Sequence, residues 1–464
     1  MPRRLRLLHA IHDFLPRHQA GSEIYAAALC QELLRRGHHV TVLAASFDTS
    51  RRHGEVIWRV HEGLPVVEVV NNWAFDSFEE TYRASNLQTV LDHVLRATQP
   101  EVLHVHNLLN LSFELPRLAR ARGARVVGTL HDYTLVCPSG GQRIHRAERH
   151  VCHTIEPDRC ARCFAQSPYP GQMAFGRTLE RPGGSIAHVV ARTLRRYAPR
   201  LLARLAAAPG LTTQALGPTA CQIAGRLEAA RSVAAQFDLL VGPSPSIVSE
   251  FRALGVGPQH VEVADYGFRQ IPPGPQSASV GPLRVGFVGT LVWHKGVHVL
   301  IDAVRQIPPD RVQLSIYGDI DTFPDYTAEL RGSARGLPVQ FMGRFERDRT
   351  AGTYSQFDVL VVPSLWLENS PLVIHEAFMA HVPVIGARIG GISDLVRDGE
   401  NGLLYSPNSS SELAAVLNRL ATDRDRLHAL RKRPTAVRTI EDDAADWERR
   451  YLSVVTDAPN RRAS

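Results

Sequence analysis

Short apolar runs and amphipathic helical stretches alternate along this chain in two successive blocks, and that alternation restricts the fold more than any other feature. In the first block LRLLHAI, HVTVLAA, EVLHVHNL, RVVGTLHD, FDLLVGPS and VEVADYG read as buried parallel strands. Helical patterns such as EIYAAALCQELLRRG separate them. In the second block LRVGFVG, VQLSIYGD, VQFMGR, FDVLVVPS, VPVIGA and GLLY alternate with VHVLIDAVRQI, TAELRGSARG, PLVIHEAFMAH and SELAAVLNRLATD. A chain of 464 residues, 44% of them apolar, is too long for one compact core. The expected fold class is therefore α/β, with two doubly wound Rossmann-like domains facing each other across a cleft. The expected boundaries are 1–270 for the first domain, 271–282 for a linker and 283–440 for the second domain. The linker lies in the Pro-, Gly- and Ser-rich stretch RQIPPGPQSASVGP. Residues 441–464 form a helix and tail, the helix packing back on the first domain. Residues from about 133 to 236 break the alternation and read as an insertion, cysteine-bearing at first and helical later.

No stretch approaches the about 20 uninterrupted apolar residues that a membrane helix needs. The start, MPRRLRLLHAIHDFLP, has an apolar run broken by His9, His12 and Asp13, so it reads as a first strand in a cytoplasmic protein. The net charge of +7 is uneven: residues 1–270 hold 31 Arg and Lys against 23 Asp and Glu, and the remainder holds 22 against 23. Much of the excess lies in RLARARGAR (117–125) and RTLRRYAPRLLARLAAAP (192–209). The second alternates basic and apolar groups as a membrane-surface helix does, or as a solvated Arg-rich face does. Such an excess suits peripheral contact with an anionic membrane surface, and no nucleic acid is expected.

LENSPLVIHEAFMAHVPVIG (367–386) places Glu368 and Glu376 in an otherwise apolar run after the strand FDVLVVPS. Ser370 reads as a helix N-cap and Pro371 as the first helical residue, since proline has no N–H to satisfy. Ligands of open α/β sheets lie outside the carboxyl ends of strands, and a helix start attracts phosphate. Glu368 then faces the cleft. Pro371, Leu372 and Glu376 share a side of the helix, where a carboxylate can accept from ribose hydroxyls while phosphates rest on the helix tip.

The E-x7-E spacing of Glu368 and Glu376, followed by AFMAHVPVIGARIGGISDLVRDGENGLLY, resembles the donor domain of the family 4 glycosyltransferases, which have the GT-B fold. The resemblance implies that Glu368 contacts the transferred sugar. It assigns the diphosphate to the backbone amides of Asn369, Ser370, Pro371 and Leu372, a set in which proline itself has no N–H, and the ribose to Glu376. VGFVGTLVWHKG (285–296) resembles the family's strand, glycine loop and lysine. Gly289 then lets the backbone approach the ligand and Lys295 neutralises the departing diphosphate; Thr290 stands where many relatives carry Arg. FLPRHQAGSEIYAAAL resembles the glycine loop opening the first helix, with Ala20-Gly21 for the usual Gly-Gly, so that Gly21 and Ser22 touch donor phosphate or acceptor. GTLHDYTLVCP supplies His131, at a strand's carboxyl end where the family has a histidine near the reacting carbon; Asp132 follows it. HVHNLLN (104–110) either reaches the acceptor or caps the sheet.

The implied reaction is transfer of a sugar from a nucleotide-diphosphate sugar to a glycan or lipid-linked acceptor with retention at the anomeric carbon, in cell-surface polysaccharide or glycolipid synthesis. His131 and Glu368 position the sugar and no enzymatic nucleophile is assigned. The alternatives are a sugar-nucleotide epimerase or phosphorylase on the same fold, or a non-catalytic nucleotide-binding protein. A nicotinamide enzyme is disfavoured because no G-x-G-x-x-G follows either first strand. No cofactor is expected for catalysis: Asp319 and Asp321 form a D-x-D, but they end the strand VQLSIYGD, away from the inferred phosphate cradle. Cys137, Cys152, Cys160 and Cys163, spaced C-x14-C-x7-C-x2-C, read as a structural zinc site, with His153 as a substitute ligand and four ordinary thiols as the alternative. Cys30 and Cys221, alone in helical patterns, read as small buried apolar residues.

Overall fold

The computed structural model describes residues 3–180, 193, 217–257, 260–272, 281–432 and 435–456. The chain forms two compact units. One holds the residues up to Pro243, Val248–Ala264 and those from Ile440 on; the other holds Ser244–Ile247 and Asp265–Thr439. The boundary thus falls at Asp265, before the expected position 270. Most of the expected linker, and the basic stretch 192–209 apart from residue 193, lie outside the described residues.

The first unit is built on an eight-stranded sheet with strand order β10-β9-β6-β5-β1-β2-β4-β3. Its strands are β1 (Arg6–Ile11), β2 (His39–Ser46), β3 (Val56–His61), β4 (Leu64–Val70), β5 (Val102–Val105), β6 (Arg125–Thr129), β9 (Leu239–Gly242) and β10 (Val261–Val263). Every pairing is parallel except that of β3 with β4. The β3–β4 hairpin was not anticipated. It turns through Glu62 and Gly63, both at positive φ (48° and 82°), as a two-residue hairpin requires. As the outermost strand β3 leaves Trp58 and Val60 exposed. The central strands are buried on both faces, which is why they read as continuous apolar runs rather than alternating ones. The insertion after β6 supplies a small hairpin, β7 (Ile144–His145) with β8 (His150–Val151), and the helices Pro157–Ala165, Tyr169–Glu180 and Ala220–Ala234. Cys30 is buried as expected, but Cys221 is exposed, because the second residue of its helix faces solvent.

The closing helix Ile440–Thr456 belongs to this unit. Tyr25 Oη donates to Asp443 (2.8 Å) and accepts from Trp447 Nε1 (3.1 Å); Trp447 and Tyr451 are almost wholly buried.

The second unit is a six-stranded parallel sheet of order β13-β12-β11-β14-β15-β16. Its strands are β11 (Leu283–Val288), β12 (Val312–Tyr317), β13 (Val339–Gly343), β14 (Val359–Val362), β15 (Val384–Ala387) and β16 (Gly402–Tyr405). Period two divides their side chains between two cores. Val359 and Val361 face the helices Val297–Arg305 and Ser410–Thr422, whereas Leu360 and Val362 face Ile374 and Phe378 of the helix Leu372–Met379. In this doubly wound order the strand sequence reverses between β11 and β14, and there the carboxyl ends of adjacent strands open a crevice.

Candidate functional site

At that reversal point two loops meet. After β11 the chain passes Gly289, at φ 156°, and turns through Trp293–Lys295 into Gly296, at φ 72°. A Cβ on Gly296 would lie 1.9 Å from the carbonyl oxygen of Pro363, so only glycine lets this turn press on the end of β14. Leu365 N donates to His294 O (2.8 Å) and ties the loops together. This approach brings Lys295 Nζ to 2.5 Å from Glu368 Oε1, which also accepts from Ser364 Oγ (2.7 Å). The Lys295 ammonium lies over the Trp366 ring, 5.4 Å from its centroid. Glu368, Asn369 and Ser370 are buried, while Thr290 is exposed.

The helix expected to begin at Pro371 with Ser370 as its cap begins instead at Leu372, with Pro371 in extended conformation as the N-cap. Ser370 is occupied elsewhere: its hydroxyl donates to Asp265 (2.7 Å) and lies 2.8 Å from His375 Nε2, and these fixed partners replace capping. The first N–H groups of the helix, those of Leu372 and Val373, have no intrahelical acceptor and carry the positive end of its dipole. One turn on, Glu376 accepts from Tyr354 Oη (2.7 Å), with Arg347 4.0 Å away. Burial pushes the Glu376 carboxyl up, and the Tyr354 hydrogen bond and Arg347 only partly oppose it. From the other side the first turn of the helix Gly390–Leu395, which follows β15, closes on Glu368 and Asn369. Gly391 N donates to Glu368 O (2.7 Å), and a Cβ on Gly391 would fall 1.4 Å from Asn369 O. Tyr354, Ser364, Asp265 and Gly391 were not singled out from the sequence. Gly390-Gly391 is the one visible signal, since paired glycines after a strand mark close backbone approach.

Asp319 follows β12 and is fully engaged: it accepts from Asp321 N (2.8 Å), Thr322 Oγ1 (2.7 Å) and Arg344 (2.5 Å). The Thr322 hydrogen bond, then that of Asp321, holds its carboxyl below the usual range.

In the first unit, strand order likewise reverses between β1 and β5, and histidines collect at the carboxyl ends. His9 Nδ1 is 3.0 Å from His106 Nε2, and His106 Nδ1 is 2.9 Å from His131 Nε2. His104 bonds Tyr451 Oη (2.6 Å) and Thr129 Oγ1 (2.8 Å), so it anchors the closing helix and is turned away from any substrate. Burial holds His9 and His131 down at about 3 and His104 and His106 well below their ordinary value; neighbouring positive charges add to this at His9, His104 and His106, whereas at His131 the Glu23 charge opposes burial without overcoming it. His131 is thus a neutral imidazole at pH 7. Asp132 accepts from Asn107 Nδ2 (2.9 Å) and Thr134 N (2.8 Å), and burial raises its carboxyl.

The helix Gly21–Arg35 starts at Gly21 and Ser22, and its Tyr25 ring lies 5.5 Å from that of His131. Its third residue, Glu23, is buried between His12 (3.2 Å) and His18 (3.3 Å). Burial raises the Glu23 carboxyl, but the His18 hydrogen bond and the His12 charge outweigh it and leave it lowered. Glu23 was missed from the sequence because an acidic residue in a first helical turn is ordinary.

Residues 282–423 match a family model described as glycosyl transferases group 1, and residues 20–174 match one described as Glycosyltransferase Family 4; together they account for more than half of the chain. The chain belongs to the family 4 glycosyltransferases. Curated relatives include sulfoquinovosyl transferase SQD2 of Arabidopsis thaliana, 29% identical over 36% of this chain and 30% of the relative. D-inositol 3-phosphate glycosyltransferase of Nocardia farcinica is 33% identical over 33% and 36%. The chain thus spans about a third of the length of these relatives. Among solved structures, Anabaena HepE in complex with UDP and glucose superposes with a TM-score of 0.59 (16% identity; 99% of this chain, 100% of that one). Sucrose-phosphate synthase from Thermosynechococcus elongatus superposes with 0.65 (19% identity; 98% and 100%). At these identities the likeness shows the fold, which is GT-B. In this family 4 chain the Glu368–Lys295 pair and Glu376 belong to the unit matched by the group 1 model, and His131 belongs to the other.

Proposed function

We propose that this protein transfers a sugar from a nucleotide-diphosphate sugar to a glycan or lipid-linked acceptor, with retention at the anomeric carbon. The observation that carries the reading is the convergence of Lys295, Glu368 and the start of the helix Leu372–Met379 at the strand-order reversal of the second unit. As the glycosidic bond to diphosphate breaks, negative charge grows on the phosphate and positive charge on the sugar. The Lys295 ammonium and the amides from Asn369 to Leu372, Pro371 contributing none, meet the first. Glu368 meets the second: Lys295 and Ser364 hold its carboxylate by Oε1, which leaves Oε2 for a sugar hydroxyl. Glu376, oriented by Tyr354, accepts from ribose, and Gly289 lets the nucleotide lie against the backbone. His131, neutral and hydrogen-bonded to His106, donates to or accepts from the sugar without adding charge. Gly21 and Ser22 offer the amides of a second helix start. The UDP of the HepE structure supports a nucleoside diphosphate donor.

The basic excess of residues 1–270 favours an anionic acceptor or membrane surface, and no helix among the described residues is long and apolar enough to cross a membrane. A cytoplasmic protein working at the membrane's inner face, in cell-surface polysaccharide or glycolipid synthesis, fits that charge. Catalysis needs no divalent metal, because Asp319 already holds Arg344 and two turn donors.

The test is to screen UDP-, GDP- and ADP-sugars for binding, then to measure nucleoside diphosphate release with candidate acceptors and the anomeric configuration of the product. Release only with acceptor, a retained configuration, and a rate unchanged by brief EDTA treatment are expected. Release without acceptor, or conversion of the sugar nucleotide itself, would favour a phosphorylase or epimerase. Binding without turnover would favour a nucleotide-binding protein. Rate loss on brief chelation that Mn²⁺ restores and Asp319→Ala abolishes would move the phosphate site.

A further inference from the structure

The insertion after β6 holds a group of side chains that glycosyl transfer does not use. Cys137 ends a turn, its N–H donating to Tyr133 O (2.7 Å); Cys152 directly follows β8, its N–H donating to Arg143 O (2.7 Å); Cys160 and Cys163 lie three apart on one face of the helix Pro157–Ala165. Although they come from three separate pieces of chain, all four line a single cavity, and none is in a disulfide. The segment has little else to hold it: its strands are two residues each, and its buried apolar anchors include Ile144 and Phe164. Arg143 also lines this cavity. It is 1% exposed, its terminal nitrogens engage Glu250 and His153 O, and its Nε has no hydrogen-bond partner. A buried guanidinium is costly unless negative charge lies beside it. Glu250 supplies one such charge to the terminal nitrogens; four neutral thiols add none, whereas four thiolates on a divalent zinc ion carry a net charge of about −2.

We propose that Cys137, Cys152, Cys160 and Cys163 bind one structural zinc ion as a tetrahedral four-thiolate centre, with the buried Arg143–Glu250 pair beside it. His153 is exposed and is not a ligand; the buried histidine on the cavity wall is His145. No three of the four sulfurs lie within 4.8 Å of one another, as the ligand atoms of His9, His104 and His106 do. Zinc–sulfur bonds of about 2.3 Å place sulfurs roughly 3.8 Å apart, so binding draws the turn at Cys137 and the end of β8 onto the helix and releases the thiol protons. The histidine group does not compete: both nitrogens of His104 and His106 already have partners.

The full chain, purified under reducing conditions and dialysed against zinc, is assayed for bound metal and then loaded with Co²⁺. The expected result is about one metal per chain, a strong thiolate-to-cobalt charge-transfer band with tetrahedral visible bands, and loss of both in Cys160→Ser and in Cys163→Ser. The metal and cobalt measurements on unaltered protein need no variant to fold. Well under one zinc per chain after reconstitution, an octahedral cobalt spectrum without the thiolate band, or full metal retained by Cys160→Ser would overturn the proposal.

Discussion

At the scale of single residues, Glu368 ties the two loops of the second unit together, pairing with Lys295 and accepting from Ser364. Replacing its carboxylate in Glu368→Gln keeps the shape but removes the charge that pairs with Lys295 and that the proposed reaction sets against the sugar. The expected cost is on the order of 10²-fold in kcat/KM with the fold intact, as for removal of one preorganised catalytic group. An unaltered rate with a verified donor would remove Glu368 from the site. The histidines make a second prediction. Their lowered values mean that the unfolded chain binds more protons than the folded one between the ordinary value of 6.5 and about 3. Their contribution to stability is therefore complete above 6.5 and is lost as pH falls below it. Each histidine adds a slope of up to about 1.4 kcal/mol per pH unit, and denaturant titrations at descending pH measure it. A flat profile from about pH 7 to pH 5 would contradict the buried network.

At the scale of elements, the close approach of loops matters more than any helix propensity. Gly391→Ala forces the start of the helix Gly390–Leu395 off the Glu368–Asn369 backbone, since its Cβ would sit 1.4 Å from Asn369 O. Activity should fall at least about tenfold and stability by about 1–3 kcal/mol. Gly332 is the control: it lies in the helix Pro324–Ser333 with nothing within 4 Å of its Cβ position, so Gly332→Ala should stabilise by about 0.5–1 kcal/mol and leave turnover alone. Equal effects of the two substitutions on kcat/KM would show that Gly391 does not shape the site. Strands, helices and the reversal-point loops could be read from apolar runs and their terminators. The start of the helix at Leu372 rather than Pro371 could not, because Ser370 is diverted by Asp265, which is remote in sequence.

At the scale of the whole molecule, the closing helix Ile440–Thr456 completes the first unit although it follows the second in the chain. Trp447 is 1% exposed, stacks on Tyr451 and contacts the His104 ring at 4.2 Å. Trp447→Ala should cost about 3–5 kcal/mol. Hydrogen exchange should show lost protection in β1 and β5 with β11 and β14 unchanged; uniform loss in both units would contradict this division.

The sequence alone determined the class of fold and where chemistry could lie. Strands buried on both faces need continuous apolar residues, their carboxyl ends need Gly, Ser, Asn or Asp, and E-x7-E with a preceding glycine–lysine loop is a local pattern that survives without coordinates. Only the tertiary structure decided what those residues touch. That Lys295 pairs with Glu368, that Tyr354 holds Glu376, that His104 faces Tyr451 while His106 faces His131, and that four cysteines meet Arg143 in one cavity all depend on contacts between segments far apart in the chain. Local preference is set by neighbours along the backbone, but a side chain's partner, its burial and hence its charge state are set by whatever the fold brings alongside it.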